Sequence, residues 1–495
     1  RHRAGERVIA GGEATLYPRS SSSPDLARCV RNRHAAANHR ALRAGGGAMP
    51  AKVLVRVAAV ASSPRLGAGA LLEPSLTDAG AAEEAAAAAL SSFAALPATG
   101  KPPAGQWTVL AAFVAVERDG EGVLTATTLS LGTGSKCVGA ARRSPRGDVV
   151  NDAHAEALAR RALVRWLVEE VVAGVGGRRS GGRWFAVDEA DADTTTPPHS
   201  RFRRSPTWAL HLVVTAPPCG DAALVVGGAA TGARRVDFSV DGRRSTTTTI
   251  DVADQATGAA TGLARRKPGK GPATLSMSCS DKVARWTMLG VQGSLASRLL
   301  VAPVYIDAVT VLDGGVACGG GQGAAAPSLP ALQRALVDRL ALMSARLLPP
   351  FQWHPPRLHV ASAGGPALAA LHLAPSPASP TPASTAIAWS RLRDAGGNWC
   401  TPDVVHGSTG RKGGATKKGA PVAAAVSKVE CFRRWGRAMT MAGASLDPGL
   451  TYGAAKREAV GYAAAWAALR APPSPLAAWL AKPEDGDEFG LEMYD

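Results

Sequence analysis

Three short segments, far apart in the 495-residue chain, each set a metal-binding side chain where a helix is due to begin. "VNDAHAEALARR" (150–161) carries His154, with Glu156 two residues on, at the head of an alanine-rich helical pattern. "PPCGDA" (217–222) places Cys219 where an apolar strand pattern gives way to a turn, and "SCSDKVARW" (278–286) places Cys279 ahead of another helix. A catalytic zinc asks for three protein ligands and one open position. Helix N-termini suit thiolates, because the dipole and free N–H groups lower the cysteine pKa. Glu156 is too near His154 to be an easy second ligand, and is placed to take a proton from water and hand it on. Taken singly, each residue has an ordinary reading, as a polar helix start or a small buried cysteine. Arg160 and Arg161 alone read as the solvated end of a helix.

The patterning around these segments alternates. Residues 107–116 and 123–131 read as two strands joined by a turn at 119–122. A helix is expected over 152–172, with Asp152 as N-cap and Leu158, Leu163, Trp166 and Leu167 along one side. Residues 207–216 and 303–312 form strand patterns, 278–300 holds one or two helices, and helical patterns recur near 427–440 and 452–470. This order predicts a three-layer α/β core. Polar or Gly-, Ala-, Pro- and Ser-rich stretches at 176–206, 229–262, 313–328 and 361–386 read as loop insertions. Regular structure is expected from about Leu76, leaving 1–75 as a low-complexity, disordered segment.

Apolar residues make up 46% and charged residues 19%, so a sizeable core is available. Much of that share is alanine, and "AAEEAAAAAL" (81–90) looks like compositional bias. The net charge of +17 suits a polyanionic partner: nucleic acid, an anionic membrane or a phosphorylated ligand. A GC-rich codon bias towards arginine would produce the same balance. Seven cysteines, an odd number, argue against a secreted disulfide scaffold and for a reducing compartment with thiols free for metal. No apolar run approaches the roughly 18 residues of a membrane span. The segment to about Arg65 is rich in Arg, Ser and Ala, like an organelle transit peptide or like sequence ahead of a start at Met49.

The conjunction H-A-E, then P-C-G-D-A, then S-C-S-D-K-x-A-R-W, in that order, resembles the catalytic domain of the adenosine deaminases that act on RNA. The general zinc deaminase signature sets its cysteines two residues apart, and the wide gap between Cys219 and Cys279 is the mark of the RNA-editing family. "LGTGSKC" (131–137), "GVQGSL" (290–295) and "PVY" (303–305) follow the family's pattern, as do "SKVECFRRW" (427–435), "YGAAKREAVGYAAAW" (452–466) and "AAWLAKPEDGDEF" (477–489). "QWTVLAA" (106–112) and "TGLARRKPGKG" (261–271) are similar to the tRNA branch. The messenger-RNA editors carry double-stranded-RNA-binding domains, and residues 1–75 are too short and alanine-rich to be one.

This resemblance implies a cytidine-deaminase-like α/β/α sandwich over 76–495, with a helical C-terminal half enclosing inositol hexakisphosphate. It implies zinc on His154, Cys219 and Cys279, and Glu156 as proton shuttle, with attack at adenine C6 and release of ammonia. The substrate implied is tRNA, at the adenosine just 3′ of the anticodon of tRNA-Ala. The inositol phosphate would be held by Asn151, Arg160, Arg161, Lys282, Arg285 and Ser294. From the C-terminal half, Lys428, Tyr452, Lys456, Tyr462, Trp479, Lys482 and Asp487 would join them. Arg160 and Arg161 would then be interior residues, while Trp466 stands where the messenger-RNA editors have a lysine. Lys136, Arg265, Lys267 and Lys270 are candidates for RNA phosphate contacts. No membrane and no obligate protein partner are called for, and the nucleus, the cytoplasm or an organelle would suit. Rival readings are an editor of other structured RNA, a catalytically dead RNA- or inositol-phosphate-binding protein, and a deaminase of free nucleosides.

Overall fold

The computed structural model describes residues 55–61, 73–175, 183–187, 202–224, 234–235, 261–267, 274–313, 327–363, 365–394, 396–414 and 422–491. These all fall in one compact unit, Ala51–Asp495. Its centre is an eight-stranded sheet built from β1 (Arg56–Ala61), β2 (Leu110–Arg118), β3 (Leu124–Thr133), β6 (Trp208–Val214), β7 (Ala308–Asp313), β8 (Arg357–Ser362), β9 (Thr385–Ser390) and β10 (Asp403–His406). Two short strands outside it, β4 (Ser135–Cys137) and β5 (Asp152–His154), pair with each other. The sheet order is β1-β8-β7-β6-β2-β3-β9-β10. Strands β6, β7 and β8 run parallel, and the other neighbours are antiparallel.

Strand β2 is apolar on both sides because both of its faces are covered. Ala111, Phe113 and Ala115 enter the core shared with helices α2 (Ala155–Val175) and α3 (Cys279–Leu289), while Leu110, Ala112, Val114 and Val116 enter the core shared with α1 (Ala79–Ala95). This is the expected three-layer sandwich. The alanine run read as compositional bias is helix α1. Its Ala81, Ala82, Ala85, Ala86 and Ala89 are fully buried against the sheet, and Asp78 caps it by accepting from Ala81 N at 2.9 Å. Alanine is the strongest helix former and lets a helix lie close to its support.

Helix α2 begins at Ala155, three residues later than expected, and Asp152 lies in β5 rather than at a cap. The helix sits on β3 at Gly132, where a Cβ would run into the Ala155 and Ala159 backbone. Helix α3 is capped by Ser278. A helical run follows as α4 (Leu329–Gln333), a π turn (Arg334–Asp338) and α5 (Arg339–Ala341). The C-terminal half adds α6 (Lys428–Met441), α7 (Tyr452–Arg457) and α8 (Val460–Arg470), so the single pattern expected over 452–470 is broken at Glu458–Ala459.

Two expectations about boundaries are corrected. Strand β1 lies inside the segment 1–75 and pairs with β8, so ordered structure begins well before Leu76. The stretch 361–386 is not a plain loop: it holds a short helix, Gly365–Ala370, and the start of β9. Short strands Phe185–Val187 and Phe202–Arg204 pair within 176–206. Most of 229–262 and of 313–328 lies outside the described residues. Among the described residues no helix is long and apolar enough to cross a membrane.

Candidate active site

His154 closes β5, opposite Ser135 of β4, so its ring is set by a strand and not by the first turn of α2. Glu156 follows within that turn and is only 4% exposed. Cys219 comes just after β6, at the carboxyl end of a parallel strand, where open α/β sheets place their binding crevices. Gly220 next to it has φ +104°, and a Cβ there would strike the Ser278 hydroxyl. Only glycine lets this turn press against the cap of α3. Cys279 is the first residue of that helix.

The three donors converge. Cys219 Sγ is 3.8 Å from His154 Nδ1 and accepts from Cys279 N at 3.4 Å. One ligand atom from each of His154, Cys219 and Cys279 lies within 4.8 Å of the others. The Cys279 thiol donates to Glu156 Oε2 at 3.0 Å. A hydrogen bond from Cys279 holds the Cys219 thiol well below its usual pKa, while burial pushes Cys279 well above. At His154, burial and the Lys267 charge oppose protonation, but the Cys137 and Cys219 sulfurs outweigh them and hold the ring up at about 10. Such a nest of basic donors fits a zinc ion, which displaces protons from its ligands on binding.

Two participants escaped the sequence reading. Cys137 and Asp152 also lie within 4.8 Å of His154. The Asp152 carboxylate is already engaged, because Lys267 Nζ approaches its oxygens at 2.9 and 3.1 Å and Lys282 forms a second ion pair with it. Lys267 Nζ also donates to Cys279 Sγ at 3.1 Å. Burial works against the Lys267 charge, yet Asp152 and the neighbouring cysteines raise its pKa well above the usual value, and Asp152 is held well below its own by Lys267 and Lys282 despite burial. The expectation of RNA contacts at Lys267 and Arg265 is therefore corrected: both are 1% exposed, and Lys267 is spent on the thiol site. A lysine so deep survives only with partners, and those partners are far away in sequence. Lys136 is half-buried on β4, and Lys270 lies outside the described residues.

A second charged cluster lies beside the first. Lys428 and Lys456 both pair with Asp487, the latter at 2.6 Å, and Lys428 Nζ also donates to Gly486 O at 2.8 Å. Burial brings Lys428 down to about 8 and Arg160 to about 10. Lys428, Lys456 and Lys282 are charged neighbours of Lys482, which is itself exposed. Arg160 has Arg285, Arg161, Tyr452 and Tyr462 as charged or titratable neighbours. Arg161 reaches Val426 O at 2.6 Å, and Arg285 lies over the rings of Trp466 at 5.1 Å and Trp479 at 4.8 Å. Trp466 thus contributes a face for Arg285 in place of a cation. Among the described contacts, none ties the Asn151 or Ser294 side chain to this group, although Gly293 abuts Arg160. The Asn151 Oδ1 atom is buried without a hydrogen-bond partner.

An α/β/α sandwich with a His/Cys/Cys donor set and a buried glutamate at the crevice defines a nucleobase deaminase. Residues 130–483 match the adenosine-deaminase (editase) domain family, and the chain belongs to that family of adenosine-deaminating enzymes. It is 36% identical to tRNA-specific adenosine deaminase 1 of Drosophila melanogaster over 46% of this chain and 54% of that protein. The mouse protein of the same name is 28% identical over 80% of this chain and 96% of its own length. The double-stranded RNA-specific editase Adar of Drosophila is 26% identical over 74% of this chain and 49% of that protein.

Proposed function

We propose that the chain converts adenosine to inosine in tRNA, at adenosine 37 beside the anticodon of tRNA-Ala. The convergence of His154, Cys219 and Cys279 on the buried Glu156 carries the chemistry. The long alignment to a tRNA-specific relative supports the substrate. Zinc held by His154, Cys219 and Cys279 would supply a Lewis acid that lowers the pKa of water to near neutrality. Glu156 takes a proton from the attacking water and gives it to the adenine ring nitrogen. It then takes the proton left on the oxygen added at C6 and gives it to the amine, so that the C–N bond breaks as the C6 carbonyl forms. Water is consumed, ammonia departs and inosine remains. Burial of Glu156 keeps each proton from exchanging with solvent during its transfer. Lys136 and Lys270 are the remaining candidates for phosphate contacts.

The second cluster reads as the seat of inositol hexakisphosphate. Lys428 and Arg160, whose charge burial disfavours, stand near Arg161, Arg285 and Lys456 with Asp487 as the acid among them, a gathering of cations that a polyanion would match through charge-assisted hydrogen bonds.

The test is inosine formation on tRNA-Ala transcripts, read as adenosine-to-guanosine change after reverse transcription, for the natural chain beside Glu156→Gln. Loss of a proton shuttle costs about 10²–10⁴-fold, so the variant should fall by at least the lower figure with bound zinc unchanged. No conversion by zinc-loaded natural protein would exclude this substrate.

A further inference from the structure

We propose that Arg334 and Arg339 are positioning residues: together they hold the two cysteine-bearing turns at the separation a shared metal requires. The inference rests on the zinc reading above. Each cysteine is followed two residues later by an aspartate, Asp221 after Cys219 and Asp281 after Cys279, and both aspartates are 0% exposed. Each is met by an arginine from the same helical run. Arg334 reaches Asp221 Oδ2 at 3.3 Å, and its Nη2 donates to the carbonyls of Asp221 and Leu224, both at 2.9 Å. Arg339 Nη1 donates to Asp281 Oδ1 at 2.8 Å, and its Nε to Ala335 O at 2.6 Å.

The helix is built unusually to allow this. In a regular α-helix, residues five apart point about 140° away from each other. Here the run widens into a π turn over Arg334–Asp338, with Arg339 N bonded back to Arg334 O, which brings the two arginines to one side. Such turns are rare and concentrate at functional sites. The far oxygens of the same aspartates pin a third segment. Asp221 Oδ1 accepts from Gly262 N at 2.7 Å, and Asp281 Oδ2 accepts from Arg265 N at 2.9 Å. That segment delivers Lys267 to Cys279 Sγ. The brace therefore fixes both thiols and the lysine that touches one of them.

Simple docking of the helix does not require the arginines. Ala331, Leu332, Ala335, Leu336, Val337 and Leu340 are all nearly or fully buried and seat it in the core. A buried ion pair is weak as a source of stability, since desolvation offsets attraction, but strong as a fixer of geometry. Each guanidinium sends one nitrogen to its carboxylate and another to backbone carbonyls in one fixed plane, which a lysine cannot reproduce.

The experiment uses the full chain loaded with cobalt(II), whose visible spectrum reports thiolate ligation and geometry. Arg334→Met, Arg339→Met and the corresponding lysine variants are compared by cobalt spectrum, zinc affinity against a chelator, kcat and KM on tRNA, and thermal midpoint. The expected result is a 10–100-fold loss of zinc affinity, a shifted cobalt spectrum and a lower kcat at unchanged KM, with the lysine variants intermediate. Variants that melt earlier yet keep the natural cobalt spectrum and zinc affinity would overturn the proposal. Should a methionine variant fail to fold, the lysine variants decide by the same readouts. A natural chain that gives no thiolate–cobalt spectrum overturns the zinc reading itself, and that result is seen before any variant is compared.

Discussion

The thiol site and the C-terminal cation cluster are neighbours, joined through Lys282, yet they handle buried charge in opposite ways. Around the thiols, Lys267 is matched within the chain by Asp152 and Cys279. In the cluster, Lys428 and Lys456 share the single carboxylate of Asp487. Tyr452 and Asp487 hold half-buried Lys456 above its usual value against burial, but burial leaves Lys428 at about 8. A charge that is balanced inside the fold raises the pKa of a lysine, and one that is not lowers it. Lys267 and Lys428 are buried to a similar degree, and their pKa values move in opposite directions for this reason.

The comparison breaks most sharply at Lys267. Replacing it by methionine leaves Lys282 as the one lysine described on Asp152, beside the bonds from His154 N and the Cys137 thiol, and deprives Cys279 of a donor. Removing one partner of a buried pair costs about 3–5 kcal/mol, and zinc affinity should drop 10–100-fold with it. Urea unfolding and chelator competition measure both. If Lys267 instead met RNA phosphate, the same change would raise KM on tRNA and leave stability untouched, and the internal balance described here would be wrong.

Titration gives a smaller effect that sharpens the contrast. Lys428 sits at about 8 in the fold against an ordinary 10.5. Between those values the unfolded chain carries a proton that the folded chain has shed, so stability rises with pH across that window. Below it both states are charged and the full cost of the buried ammonium is present. Protein stripped of anions should therefore gain stability, on the order of 1–3 kcal/mol, between pH 8 and about 10. With inositol hexakisphosphate bound, the lysine pKa returns upward and the gain disappears. A stripped protein with a flat profile over this window would show that the cluster is already balanced.

The parts legible in sequence were those whose chemistry is local. His154, Glu156, Cys219 and Cys279 stand out because few residue types do such work and their motif order is distinctive. Strands β2, β6 and β7 follow from largely apolar runs, and β3 from a Leu- and Thr-rich stretch that follows a turn. Helix α1 was hidden because alanine contributes little hydrophobic periodicity, and its burial depends on a sheet that forms later in the chain. Strands β8, β9 and β10 are short and two of them begin within or beside a Pro/Ser-rich stretch, where no period develops. Lys267 was misread because its setting, "RRKPGK", has the look of a solvated basic loop. What makes it interior is Asp152, far upstream, itself mistaken for a helix cap. Ion pairing across the fold leaves no trace in local pattern, so the second layer of the site was beyond reach.

The smallest expected effect falls on Trp466, at the position where the resemblance to the messenger-RNA editors implies a lysine. Its ring meets Trp479 edge-on at 4.9 Å and lies under Arg285 at 5.1 Å. Removing it by Trp466→Leu should cost about 0.5–2 kcal/mol, the range for a cation over an aromatic face. Trp466→Lys goes further, because it adds a cation where Arg285 and Arg470 already lie. The stripped protein should then be less stable than with leucine, while affinity for inositol hexakisphosphate rises, and thermal midpoints with and without the polyanion separate the two effects. A lysine variant no less stable than the leucine variant in the stripped protein would place position 466 outside the crowded field, and the tryptophan would then serve only as a face for Arg285 and Arg470.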